Sequence, residues 1–165
     1  MRFFNHFLSN ALAVVLAAAL CQFPVYFNQY LNVLSGATTE STKVYQDIQK
    51  AAAQSNKTVE AFIAKHLGDS DLDFKNSGKV MDNAVKRYEG YKIAFEALES
   101  ADFWSKPFRF VKYWDKDLAQ AVKFQAGIPA NTEGLAYALL GVLVSVILTF
   151  AVEKIIRPKR DLAKY

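Results

Sequence analysis

The sequence predicts an all-α protein: two transmembrane helices with an intervening extramembrane helical bundle. Three observations lead there. The apolar residues, 52% of a 165-residue chain, gather near the two ends while the charges sit between them. Residues 135–152 read LAYALLGVLVSVILTFAV, eighteen positions without a charge, which is the length at which a spanning helix becomes the default reading. The middle of the chain carries helical spacing and hardly any strand pattern.

The first apolar run, 11–27, reads ALAVVLAAALCQFPVYF and lies in a stretch with no acidic, lysine or arginine residue between Arg2 and Glu40. A bilayer core needs about 20 helical residues at 1.5 Å each. Mildly polar flanks, 7–10 and 132–134, bring both runs to that length. Two other readings compete. Met1-Arg2 with Ala17-Ala18-Ala19 fits a cleaved signal peptide, but the apolar run continues past that cut through Phe23, Val25, Tyr26 and Phe27. A lipoprotein cut before Cys21 is opposed by Leu20. Two core helices of a soluble domain would leave 135–152 apolar on every face, more than a domain this small can surround.

Orientation follows from Lys154, Arg157, Lys159, Arg160 and Lys164, which keep that end cytoplasmic by the positive-inside rule and are candidate contacts for anionic lipid headgroups. Two spans return the N-terminus to the same side. The expected divisions are 1–34 (first span and flank), 35–128 (helical domain on the side of the membrane away from the cytoplasm), 129–153 (second span) and 154–165 (basic tail). Residues 35–118 hold 13 acidic and 13 basic side chains, so the net +4 comes from the ends and no basic patch there recruits nucleic acid.

Lipid tails compete with apolar side chains, so spans associate through close backbone approach and shared polar groups. Gly134, Ala138, Gly141 and Ser145 share one face of the second span, and Ala13, Ala17 and Cys21 one face of the first. Each stripe fits the other span or another copy of the chain. Asn10, Gln22 and Ser145 are candidates for hydrogen bonds between helices.

Four helical segments are expected outside the membrane. The first covers 39–54. The second is capped by Ser55 or Asn56, runs through His66, and is ended by Gly68 in a left-handed conformation. The third runs from Phe74 or Ser77 to Ser100, with Val80, Ala84, Tyr88, Tyr91, Phe95 and Leu98 on one face. The fourth is opened by Ser105 and Pro107 and carries Phe108, Val111, Leu118 and Val122. Gly127, Pro129 and Gly134 punctuate the return to the bilayer. The aromatic segment 103–114 reads first as bundle packing. Its alternative is an exposed face, for which Phe103, Trp104, Phe110 and Trp114 are the candidate interface residues.

Catalytic, cofactor and metal constellations are not found. Asp69, Asp71 and Asp73 open like a calcium loop, but Phe74 stands where glycine is needed and Val80 where glutamate is. Charge at a helix N-terminus explains the cluster more simply. His66 lacks a second histidine in reach, and Cys21 sits where a thiolate would be badly desolvated.

Several stretches together resemble a known family: QFPVYFNQY at 22–30, FIAKHL at 62–67, Arg87, and PANTEGLAYALLG at 129–141. They are similar to DUF2937, a bacterial family of uncharacterised membrane proteins, over nearly the whole chain. The resemblance implies a Gram-negative inner-membrane location, no established activity, and no functional residues to carry over.

The function expected is a non-enzymatic inner-membrane scaffold, accessory or assembly subunit. Its partners would be membrane lipids and other envelope proteins, or itself as a homo-oligomer. The alternative is a periplasmic sensor that signals through a separate output partner.

Overall fold

The structure is a computed structural model that describes residues 2–127 and 132–156, with the side chains of 11, 14–127 and 132–151. Among the described residues six helices follow in order: α1 (Arg2–Gln54), α2 (Val59–Leu67), α3 (Leu72–Glu99), α4 (Lys106–Lys112), α5 (Lys116–Ala121) and α6 (Thr132–Ile156). No strand occurs among the described residues. The chain divides into two compact units, Met1–Asn28 with Phe124–Tyr165, and Gln29–Lys123.

The largest departure from expectation is α1. Its 53 residues form one helix that contains Pro24 and runs on through Gly36 into 39–54, which is expected as a helix separate from the first span. Polar residues at 38–42 do not interrupt it because their hydroxyls turn back onto the helix. Thr38 donates to the Leu34 carbonyl at 2.8 Å, Thr39 to Ser35 at 2.9 Å, and Thr42 to Thr38 at 2.7 Å. At about 20 residues per bilayer core, such a helix is too long to lie wholly in lipid.

In the unit Gln29–Lys123, Ile48 and Ala52 of α1 meet Val59 and Ile63 of α2, with Tyr45, Phe62, Leu67, Met81, Ala84 and Val85 around them. Tyr45 and Tyr88 stack at 4.4 Å between ring centres. The cap of α2 is Thr58, two residues later than expected, whose hydroxyl accepts from the Ala61 amide at 3.2 Å. Gly68 does end α2, but in a right-handed conformation (φ −87°); the left-handed residue is Asn56 (φ 51°), in the turn before the helix. Asp71 caps α3 by accepting from the Asp73 amide at 2.8 Å, which starts the helix at Leu72. The expected face of α3 is corrected at one end, since Val80 is 69% exposed and the neighbouring Met81 packs inward instead.

The expected fourth helix is two. Asp115 accepts from the Asp117 and Leu118 amides at 2.8 and 3.0 Å, capping a new helix and breaking the chain after Tyr113. Tyr30, fully buried, holds that corner. Its hydroxyl donates to the Tyr113 carbonyl at 3.1 Å and accepts from the Asp115 amide at 2.9 Å, while Phe110 packs edge-on against its ring at 5.1 Å. Tyr30→Phe keeps the ring and strands two backbone groups. It is expected to cost about 2 kcal/mol, read as lower thermal stability and faster amide exchange at 113–118 with α2 and α3 undisturbed.

In the other unit, Gly134 lies inside α6 and is buried, so it does not punctuate the chain before the helix. Pro129 lies outside the described residues.

Candidate functional site

Among the described residues two helices are long and apolar enough to cross a membrane, and only 17% and 22% of their apolar windows are buried. Core helices of a soluble protein would be mostly buried. Outward on α6 stand Leu135, Leu139, Leu143, Ile147 and Phe150, all exposed. Its buried stripe is Gly134, Tyr137, Gly141 and Ser145, with Ala138 half-buried beside it. At Gly141 the stripe meets α1 so closely that an added Cβ would lie 2.6 Å from Ala17 Cα and 2.8 Å from the Leu16 carbonyl oxygen. Phe23 and Tyr137 pack ring to ring at 5.3 Å. Gln22 grips the backbone of Gly127 at both ends of its amide, donating at 2.9 Å and accepting at 3.2 Å.

Of the small residues read from the sequence, Ala17 and Gly141 therefore meet within one chain. Ser145 donates to the Val142 carbonyl at 2.7 Å, within its own helix, in place of an interhelical bond. The Cys21 thiol donates to the Ala18 carbonyl at 3.1 Å. The side chains of Ala13, Asn10 and Lys154 lie outside the described residues, as do Arg157, Lys159, Arg160 and Lys164 entirely.

Between them, α1 and α3 leave a half-open groove of about 240 Å³ lined by Ala37, Glu40, Ser41, Val44, Ala84, Arg87 and Tyr91. The register of the two helices makes it. Positions 37, 41 and 44 share one face of α1, positions 84, 87 and 91 one face of α3, and alanine and serine keep the floor low. Thr38 reaches across to the Tyr91 carbonyl at 3.4 Å, and the Ser41 hydroxyl turns down onto the Thr38 carbonyl at 3.0 Å. Arg87 and Glu40 set one cation and one carboxylate at the rim. Burial, and then the Asp115 carboxylate, push the Tyr91 hydroxyl up from its ordinary value against the opposing pull of Arg87. The phenol is therefore neutral at physiological pH and can donate or accept a hydrogen bond. Sequence reasoning found Ala84 and Tyr91 as face residues but did not join them to Glu40, Ser41 and Arg87 as a site, because helix packing alone brings them together.

The aromatic segment splits in two. Phe103 and Phe110 are half-buried, whereas Trp104, Phe108, Val111 and Trp114 stand out at 72%, 79%, 77% and 51% exposure. Phe108 and Val111, expected to line a packed helix, are thus on its outer side. The inner side is held by Phe110 and by Arg109, which donates to the Ala97 carbonyl at 2.8 Å and to the Ser100 hydroxyl at 3.0 Å.

The acidic cluster and His66 make local bonds. Asp69 accepts from the Asp71 amide at 3.0 Å, and His66 Nδ1 lies 2.9 Å from the Phe62 carbonyl oxygen, between the rings of Phe62 and Phe74. Among the described residues no three His, Cys, Asp or Glu side chains gather as a metal-ligand group.

The family described as "Protein of unknown function (DUF2937)" matches residues 4–161. The chain belongs to DUF2937. No curated protein and no solved structure matches it. In this DUF2937 chain, the stretches that carry the resemblance also carry its contacts. They contain the Gln22 grip, the Tyr30 corner bond, the Arg87 rim and the Gly141 crossing.

Proposed function

We propose that this protein is an integral subunit of the bacterial inner membrane that acts as a scaffold or assembly factor and performs no catalysis of its own. Both termini face the cytoplasm and the helical bundle stands in the periplasm, an orientation supported by the five basic residues after the second apolar run. The bundle engages a protruding side chain of another envelope protein, or of a second copy, in the groove between α1 and α3.

The observation that carries this reading is the groove itself. Its volume of about 240 Å³ falls below the roughly 300–1,000 Å³ of small-molecule sites, and it is open along one side. A low floor of Ala37, Ser41 and Ala84 with Arg87 and Glu40 at the rim suits one anchoring residue flanked by polar contacts, as at the centre of a protein interface.

A photo-crosslinking residue at Val44, which lines the groove, tests it in intact cells. A discrete heavier species that disappears in an Arg87→Glu background supports the proposal, provided the variant remains in the membrane fraction. A monomer band alone, or an adduct indifferent to Arg87, contradicts it.

The sensor reading keeps one supporting observation, the pairing of a cation and a carboxylate in the same groove, which matches a small zwitterion. Thermal stabilisation of the full chain by amino-acid-like solutes, lost in both Arg87→Ala and Glu40→Ala, would favour it over the scaffold.

A further inference from the structure

The outward face of the α4 segment has a chemistry and a position that together specify what covers it. Phe108 and Val111 lie three apart on α4, Trp104 sits in the turn before it and Trp114 just after it, and the four make a strip in which each is at least half exposed. Single exposed apolar residues are ordinary; four large ones within eleven residues, two on a short helix and one on each side of it, are not. Exposed charges of both signs border the strip, Lys112 and Lys116 on the basic side and Asp102 and Asp117 on the acidic. Lys112, exposed, lies over the Tyr113 ring, 5.1 Å from its centre, and exposed Lys116 begins α5. Indole and phenyl rings bordered by lysines form the side-chain set that prefers the headgroup layer of an anionic bilayer.

Position decides between lipid and a protein partner. Tyr30, which bonds the Tyr113 carbonyl and the Asp115 amide, fixes the end of the strip to α1. On α1, Tyr30 comes three residues after Phe27, where the apolar run 11–27 ends. Three residues are about 4.5 Å of helix rise, and the headgroup layer on each side of the hydrocarbon is roughly 5–8 Å thick. Tyr30 therefore marks headgroup depth, and so does the corner bonded to it.

We infer that the strip Trp104, Phe108, Val111 and Trp114 is an interfacial anchor that docks the α4 segment onto the periplasmic leaflet of the membrane that α1 spans, with Lys112 and Lys116 meeting anionic headgroups. The inference rests on α1 being a span, and is independent of the groove.

The chain contains two tryptophans, and both are in the strip, so tryptophan emission excited at the red edge, beyond tyrosine absorption, reads this face. The full chain is reconstituted into vesicles of phosphatidylcholine with phosphatidylglycerol, and insertion is checked first by co-flotation. Emission is then compared in plain vesicles, in vesicles with lipid brominated close to the headgroup, and in vesicles brominated at the acyl terminus. The inference predicts roughly twofold quenching by the shallow bromolipid and clearly less by the deep one, as expected for rings at headgroup depth. Trp104→Phe and Trp114→Phe, each leaving one reporter and an apolar strip, should both retain that order. Lys112→Glu with Lys116→Glu should weaken shallow quenching in anionic vesicles more than in phosphatidylcholine alone.

Equal emission in brominated and plain vesicles overturns the inference. So does protection from aqueous acrylamide without bromolipid quenching, the signature of a second copy or another protein on the strip. Failure to float with the vesicles overturns the span on which it rests, before any fluorescence is read.

Discussion

Gly141→Leu is expected to separate α6 from α1 and to be the most damaging substitution among the described residues. The Cβ it adds would fall 2.6 Å from Ala17 Cα, 2.8 Å from Ala17 N and 2.8 Å from the Leu16 oxygen. All three are backbone atoms, so no side chain can rotate away and the helices themselves must part. Overpacking a core by a few methylenes costs about 1–3 kcal/mol, and a clash against backbone belongs at or above the top of that range. In a chain of this size about 3 kcal/mol lowers Tm by roughly 10 °C, measurable by a thermal melt in mild detergent. Ala17→Gly should give no rescue, because it removes none of the three atoms involved. Gly36 and Gly90 supply the control, since nothing lies within 4 Å of a Cβ at either. Alanine there should stabilise the helix by about 0.5–1 kcal/mol. Adding a side chain at these three glycines thus carries opposite signs according to what each one faces.

Gly78→Leu is the second large effect. On α3, a Cβ at Gly78 would sit 2.8 Å from Leu67 N, 3.0 Å from His66 Cβ and 3.1 Å from His66 C, at the end of α2. Here again the chief obstacle is backbone, and the loss should approach 3 kcal/mol. The consequence is confined to the other unit. Hydrogen exchange should quicken across 59–67, where α2 loses its seat on α3, while α6 exchanges as before. Gly78→Ala should show the same pattern at smaller amplitude, which separates a graded steric effect from general misfolding. An unchanged melt for Gly78→Ala would mean that α2 and α3 are not in the contact described.

Much of the secondary structure was legible because it rests on local chemistry. The charge-free run 135–152 falls within α6, Gly68 ends α2, and Pro107 opens α4 within its first turn. The misreadings were of two kinds. The segment 39–54 was read as a helix separate from the first span, but the hydroxyls of Thr38 and Thr42 bond to carbonyls one turn back and the helix is continuous. At Asp115 a cap was visible in principle, an aspartate two and three residues before the amides it accepts from, and the aromatic run around it drew the reading into one longer helix.

The sites were less legible, since they depend on pairs distant in sequence. Tyr30 and Tyr113 are 83 residues apart, and the closeness of Gly141 to Ala17 or of Gly78 to Leu67 is a property of helix crossing that no window of sequence contains. Small residues on a face announced that some helix could approach, without naming it. The aromatic segment was read with both of its outcomes, and the structure divides them residue by residue. Phe103 and Phe110 turn inward, and Trp104 and Trp114 turn outward.

The account depends first on lipid surrounding the two apolar helices, and alkaline extraction of membranes from cells expressing the full chain tests that most directly. The protein should stay in the pellet at high pH and enter solution only with detergent. Its appearance in the detergent-free supernatant would contradict the two spans, and with them the orientation of the bundle and the interfacial role of the tryptophans.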